Sequence, residues 1–278
     1  MNYFTEVEGT HKTLAIKSAW DDSFLDILRA EEADVLRLSF SNGWKDDDLS
    51  FVEKLENIYG IEVFSWKITN LKSLHSIANI GYLAFEIDLK RVFDLSLFGK
   101  LEVLKCTYST KLRGLDALES LKHLNLSNYP YETLRELQHM TSLEELLVTS
   151  RKLKGSNCAF FPLLRKIDLA RCGELEAIEH LENCTHLEEL EIADCPKISK
   201  LPKLPCNLKS LVIEDCGGID SLDFIESHPS LQRVLIIGST FVRSGDLSPL
   251  KTLKGLKDVR VAEGSYNMSN EQVRGLVC

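Results

Sequence analysis

The 278-residue sequence predicts an α/β solenoid, a stack of short parallel strands that each return through a helical or irregular segment, with a cap at either end. Three observations predict it. A hexapeptide with apolar residues at its first, fourth and sixth positions recurs every 20 to 25 residues from Leu101 onward. Leucine supplies 46 residues against 3 Met and 3 Trp, which means that one side chain is reused in one kind of slot. Helix-capping signals stand before and after the repeated stretch.

Residues 1–32 are expected to form an N-terminal cap, in which Asp21 and Asp22 place negative charge ahead of the amphipathic SFLDILRAEE helix. Asp47 and Asp48 lead into LSFVEKLENIYG in the same way; Leu49, Val52 and Leu55 recur three apart, and a second helix is expected to end at Gly60. Weak copies of the hexapeptide begin at His11, Ala33, Ile58 and Ile80, so 33–100 reads as degenerate repeats. Firm copies begin at Leu101, Leu121, Leu143, Leu164, Leu187, Leu208, Leu231 and Leu256 and fill 101–263. In 264–278, Ser269 with Gln272 forms a capping box and Met268 with Val273 a hydrophobic staple, predicting a short terminal helix.

Within each copy the period-two pattern makes a strand whose three apolar residues point inward while those between them point out. A later apolar pair, such as Leu175 with Ile178 or Ile198 with Leu201, closes the unit from the far side. One such unit cannot bury its apolar side alone, so neighbours must stack.

The segments LRKIDLARCGEL, LEELEIADCPKI and LKSLVIEDCGGI carry a further signal: Cys172, Cys195 and Cys216 each fall eight residues after the opening Leu. With this the chain resembles the leucine-rich-repeat superfamily, whose unit reads L-x-x-L-x-L-x-x-N/C-x-L. The LPKLP segment at 201–205 looks like the proline-containing convex segments of bacterial and plant members. The resemblance implies a curved horseshoe with its parallel sheet on the concave face, acting as a non-enzymatic protein-binding module. In the same slot other units carry Tyr129, Arg151, Ser239 and Gly264, where irregular turns are expected.

A formal charge of −9 argues against sequence-independent binding to nucleic acid or anionic membranes, which needs clustered cations. With 44% hydrophobic and 27% charged residues, the chain has the composition of a folded protein rather than a disordered one. The first twenty residues lack a basic start followed by an apolar core, and the eight Cys include no C-x-x-C pair. Reduced thiols in a cytoplasmic setting are therefore expected.

No nucleotide-binding, zinc-protease, calcium-loop or nucleophile-elbow motif is present, and the expectation is of no catalytic residue, metal or cofactor. Cys172, Cys195 and Cys216 occupy one slot in successive units, so they should form a row of buried thiols rather than surround a metal. His180, Cys184 and His186 offer a metal or thiol-enzyme alternative, but Ile178, Leu181 and Leu187 take the core slots and leave His180 and Cys184 on the outer convex side. The Asp46–Asp48 run reads as helix-capping charge, lacking the spaced acids of a calcium loop.

The outward strand positions line up as columns, and there a partner should bind. Glu145, Asp168, Glu189, Glu191, Asp194, Glu214 and Asp215 make an acidic zone; Phe40, Phe64, Tyr82, Tyr108 and His123 offer aromatic contact, with Asn125 among them. Such a face suits a basic protein, aromatics anchoring and charge steering. A narrower alternative is an inhibitor or immunity protein for a basic toxin or nuclease, by analogy with the ribonuclease-inhibitor family.

Overall fold

The computed structural model describes residues 2–277 and divides into two compact units, Met1–Leu124 and Asn125–Cys278. In the first unit a hairpin of β1 (Tyr3–Glu8) and β2 (His11–Ile16) turns at Gly9 and Thr10. Gly9 has φ +60°, the left-handed geometry that a two-residue hairpin turn requires of its first residue. Helix α1 (Ser23–Ala30) follows, with Asp21 Oδ1 accepting from the Ser23 N–H at 2.9 Å. Then come β3 (Val35–Ser39), β4 (Gly60–Phe64), β5 (Tyr82–Glu86), the short β6 (Phe93–Asp94), β7 (Val103–Thr107) and the short β8 (Leu112–Arg113). The main sheet of this unit runs β1-β2-β3-β4-β5-β7, parallel except for the β1–β2 pair, and β6 pairs with β8 on the far side.

The second helix expected over 49–60 is instead a 3₁₀ turn at Ser50–Lys54, and Gly60 opens β4. The spacing explains this: Leu49, Val52 and Leu55 recur every three residues, which matches the three residues per turn of a 3₁₀ helix, and all three are buried. Gly60 is needed for closeness, since a Cβ there would stand 2.6 Å from the Tyr82 ring.

The boundary between units falls within β9 (His123–Ser127). The second unit continues through β10 (Glu145–Thr149), β11 (Gly155–Asn157), β12 (Lys166–Ala170), β13 (Ala177–Glu179), β14 (Glu189–Ala193), β15 (Ser210–Glu214), β16 (Gly218–Ile219), β17 (Arg233–Ile237), β18 (Phe241–Val242) and β19 (Asp258–Val261). Its main sheet is a parallel ladder in the order β10-β12-β14-β15-β17-β19, each strand one repeat beyond the last. β11 with β13 and β16 with β18 make two-stranded ladders on the return side, and each of these strands is followed by a 3₁₀ turn before the next strand of the main sheet. Helix α2 (Asn270–Arg274) packs on β19 and carries the expected capping box: Gln272 Oε1 accepts from the Ser269 N–H at 2.8 Å, and Ser269 Oγ accepts from the Gln272 N–H at 3.2 Å. Among the described residues no helix is long and apolar enough to cross a membrane.

Every apolar slot of the firm repeats in this unit is buried, as with Leu187, Leu190 and Ile192 or Leu208, Leu211 and Ile213. Behind the strands runs a row of small hydrogen-bonding groups. Cys172, Cys195 and Cys216 are fully buried, and each thiol sits between two carbonyl acceptors, the nearer at the end of its own strand (Ala170 O at 3.4 Å, Ala193 O at 3.2 Å and Glu214 O at 3.1 Å) and the other on the preceding strand (Val148 O at 3.8 Å, Leu169 O at 3.3 Å and Ile192 O at 3.4 Å). Where the eighth residue is Arg151 or Ser239, its neighbour takes over. Ser150 Oγ donates to Tyr129 O at 2.6 Å, and Thr240 Oγ1 accepts from the Cys216 N–H at 3.0 Å. The row exists because a turn crossing the interior would otherwise bury unpaired backbone groups.

Candidate functional site

The ladder register fixes the outward columns. In the second unit one column reads Glu145, Lys166, Glu189, Ser210, Arg233 and Asp258; the next reads Leu147, Asp168, Glu191, Val212, Leu235 and Arg260. Glu214 belongs to a third, beside Ala193 and Ile237. Five of the sequence-selected acids, Glu145, Asp168, Glu189, Glu191 and Glu214, therefore stand on the exposed side of one sheet. Asp194 and Asp215 follow the strands in the left-handed region, with φ +53° and +51°. Asp and Asn tolerate that conformation, and Arg171 shares it at φ +53°. The twist lets each trailing N–H extend the ladder, Arg171 to Ala193 O at 2.8 Å and Asp194 to Glu214 O at 3.0 Å.

The face is less uniformly solvated than the sequence suggests. Val212 and Leu235 are buried in place, making an apolar floor beside the acids. Asp168 lies between Leu147 and Glu191, and its Oδ1 is shielded from solvent with no hydrogen-bond partner among the described residues. Burial first, and the Glu191 carboxylate second, push its carboxyl up to about 6, Lys166 only partly opposing them. Lys166 leans instead toward Glu189 at 3.5 Å. Asp215 is committed to the fold: its Oδ1 accepts from the Ser239 N–H at 2.8 Å, and a Cβ at Gly238 would stand 2.3 Å from that same oxygen.

In the first unit the face residues form a closed network that sequence reasoning did not find. Glu62, placed in an outward column, is 4% exposed. Its carboxylate accepts from Arg37 Nε and, at 2.5 Å, from the Tyr82 hydroxyl, while Arg37 Nη1 also pairs with Glu6 of β1. Burial and the Glu62 bond raise the Tyr82 phenol well above its ordinary range. Lys105 Nζ stands 5.4 Å from the Tyr82 ring centre, so the tyrosine is half-buried among charges rather than a free anchor. Tyr108 and His123 are half-buried and partnered. Phe40 packs against Trp66 with the rings tilted at 44° and their centres 3.4 Å apart, and Trp66 is the more exposed of the two at 65%.

His180, Cys184 and His186 do not come together. Both histidines are exposed, whereas Cys184 is buried and donates to Cys158 O at 3.3 Å, so its expected place on the outer side is corrected. His180 sits in the left-handed region at φ +56° as the N-cap of the 3₁₀ turn Leu181–Asn183, and its Nδ1 lies 4.0 Å from Glu182 of that turn. Among the described residues no group of three or more His, Cys, Asp or Glu could hold a metal ion.

The parallel strands one repeat apart, their apolar slots and the Cys row settle the architecture. The chain has the leucine-rich-repeat fold. A solved leucine-rich-repeat structure agrees: an internalin, InlF, from Listeria monocytogenes is 16% identical with a TM-score of 0.51, over 82% of this chain and 67% of the internalin. The PEPR1–AtPEP1 complex (13% identity, TM-score 0.48) matches 91% of this chain and 47% of the other. The mouse RP105/MD-1 complex (15%, 0.38) matches 84% and 48%. This chain thus spans about half the length of the last two. No family model and no curated protein matches its sequence.

Proposed function

We propose that the chain is a binding module, not a catalyst, whose exposed sheet side in the second unit takes a basic segment of a partner protein. The carrying observation is the Leu147, Asp168, Glu191, Val212, Leu235 column: two carboxylates side by side, one oxygen desolvated and unpartnered, with aliphatic floor on both flanks. A Lys or Arg side chain suits it, its stem lying on Leu147 or Val212 and its cationic head pairing with the Glu191 carboxylate and the accessible side of Asp168. Glu145, Glu189 and Glu214 extend the negative field along the approach, which favours association rate more than affinity.

A photo-reactive phenylalanine analogue at Glu145, on the face, is compared with one at Glu226, exposed beside a 3₁₀ turn. Illumination in the host extract should yield a salt-sensitive adduct with a basic protein from position 145 alone. Equal adducts from both positions, or adducts only from 226, would remove the face from the account.

A further inference from the structure

The hairpin leaves one backbone edge open. Lys17 N–H donates to Asn2 O at 2.8 Å, which makes Asn2 and Lys17 a hydrogen-bonded pair of the antiparallel ladder. Alternation then makes Phe4–Ala15, Glu6–Thr13 and Glu8–His11 the bonded pairs, and the Asp34 N–H donating to Lys12 O at 3.0 Å confirms it from the other side of β2. Tyr3, Thr5 and Val7 consequently direct N–H and C=O away from β2, and nothing among the described residues pairs with them. Their side chains share the core side of the sheet with Ile16, Leu14 and Lys12, where Val7 is 72% exposed.

We propose that β1 pairs antiparallel with β1 of a second copy of this chain, about a two-fold axis at Thr5. The strand is self-complementary in that register. Tyr3 meets the second copy's Val7, Thr5 meets Thr5, and Val7 meets Tyr3, so outward-directed residues oppose one another and every free N–H finds a carbonyl. On the core side this makes two aromatic–β-branched pairs and a threonine pair, all favoured cross-strand combinations. On the other side Phe4 opposes Glu6 and Glu8 opposes Asn2, so no like charges meet directly. Lys17 Nζ, 5.9 Å from the Phe4 ring centre, stands where the second copy's Glu6 arrives. A register slipped by two residues in either direction loses both Tyr–Val pairs, and a parallel arrangement sets glutamates side by side.

Sedimentation over a dilution series should show a reversible monomer–dimer equilibrium. Amide exchange should separate the two edges of β1: protection at Tyr3, Thr5 and Val7 rises with protein concentration, while that at Phe4, Glu6 and Glu8 does not. Thr5→Pro removes an outward N–H that the β1–β2 ladder does not use and should abolish the dimer. Val7→Lys, which leaves the backbone untouched, should raise the dimer Kd about two- to thirtyfold because its contact occurs twice. A chain that stays monomeric up to about 1 mM, a dimer indifferent to Val7→Lys, or exchange at Tyr3, Thr5 and Val7 that ignores concentration would each overturn the proposal.

Discussion

Asp168 and Glu191 stand directly opposite each other on adjacent parallel strands, on the same side of the sheet, and the Asp168 carboxyl is pushed up to about 6. Burial is the main cause and the Glu191 charge the second, since Asp168 Oδ1 sees neither solvent nor a donor. The folded state therefore binds a proton more tightly than the unfolded chain, whose aspartate titrates near 3.8. Its stabilising contribution is complete below that value and is lost as pH rises through about 6. Asp168→Asn is accordingly expected to raise the melting temperature at pH 7, with the gain shrinking toward pH 4. Calorimetry at the two pH values checks this; a variant less stable than wild type at pH 7 would mean that the carboxylate has a donor.

His228 has the opposite sign. It is buried, its Nδ1 accepts from the Ser230 N–H at 3.3 Å, and its Nε2 donates to Pro205 O at 2.9 Å, so both ring nitrogens are satisfied in the neutral Nε2–H form. Burial holds its pKa below 6.5. The contribution is full above 6.5 and is lost as pH falls below it, because the unfolded chain then takes up a proton that the fold resists. Stability should drop on acidification through this range, less so in His228→Asn. Nitrogen chemical shifts at pH 7 should report the Nε2–H tautomer, and an Nδ1–H signal would refute the assignment.

Leu190 is buried in the middle of the second unit's ladder, and Glu191 beside it points outward. Leu190→Ala should cost about 2 to 5 kcal/mol, whereas Glu191→Ala should change stability little. Denaturant unfolding of the pair distinguishes them, and reversed magnitudes would place the register one residue off.

Thiol labelling should divide the cysteines by depth. Cys206 is exposed and should react at once; Cys106, Cys158, Cys172, Cys184, Cys195 and Cys216 are buried and should react only on unfolding. Burial pushes the Cys106 thiol up to about 12, which suppresses its thiolate further. Cys278, the other cysteine expected to react quickly, lies outside the described residues. Rapid labelling of Cys172, Cys195 and Cys216 in the folded chain would contradict the hydrogen-bonded row.

The parts of the fold legible in sequence are those set by period. Leu187, Leu190 and Ile192 declare a strand by spacing alone, and Ser269 with Gln272 declares a helix start. The parts that were not legible depend on contacts between distant residues. Glu62 looks outward in the alternation, yet Arg37 and Tyr82 draw it under cover. Ser150 and Thr240 replace the eighth-position group from one residue to either side, which a fixed-offset reading passes over. The β1–β2 hairpin had a local signal in Gly9 between two alternating runs, obscured because HKTLAI also fits the repeat. The acidic face was legible as a column, but its desolvated member, Asp168, was not, since depth on a face is set by neighbouring strands.

If a partner reads the acidic column rather than overall charge, the position of the acids matters more than their number. Two triple reversals of equal charge separate the two: Glu145, Glu189 and Glu191 to Lys on the face, and Glu119, Glu136 and Glu226 to Lys at exposed sites in or beside 3₁₀ turns. Glu6 and Asp215 are left alone because each supports the fold, through Arg37 and the Ser239 N–H. Association kinetics of the cross-linked partner should slow strongly, with a flattened salt dependence, for the face triple and stay near wild type for the other. Equal slowing by both triples would contradict the account.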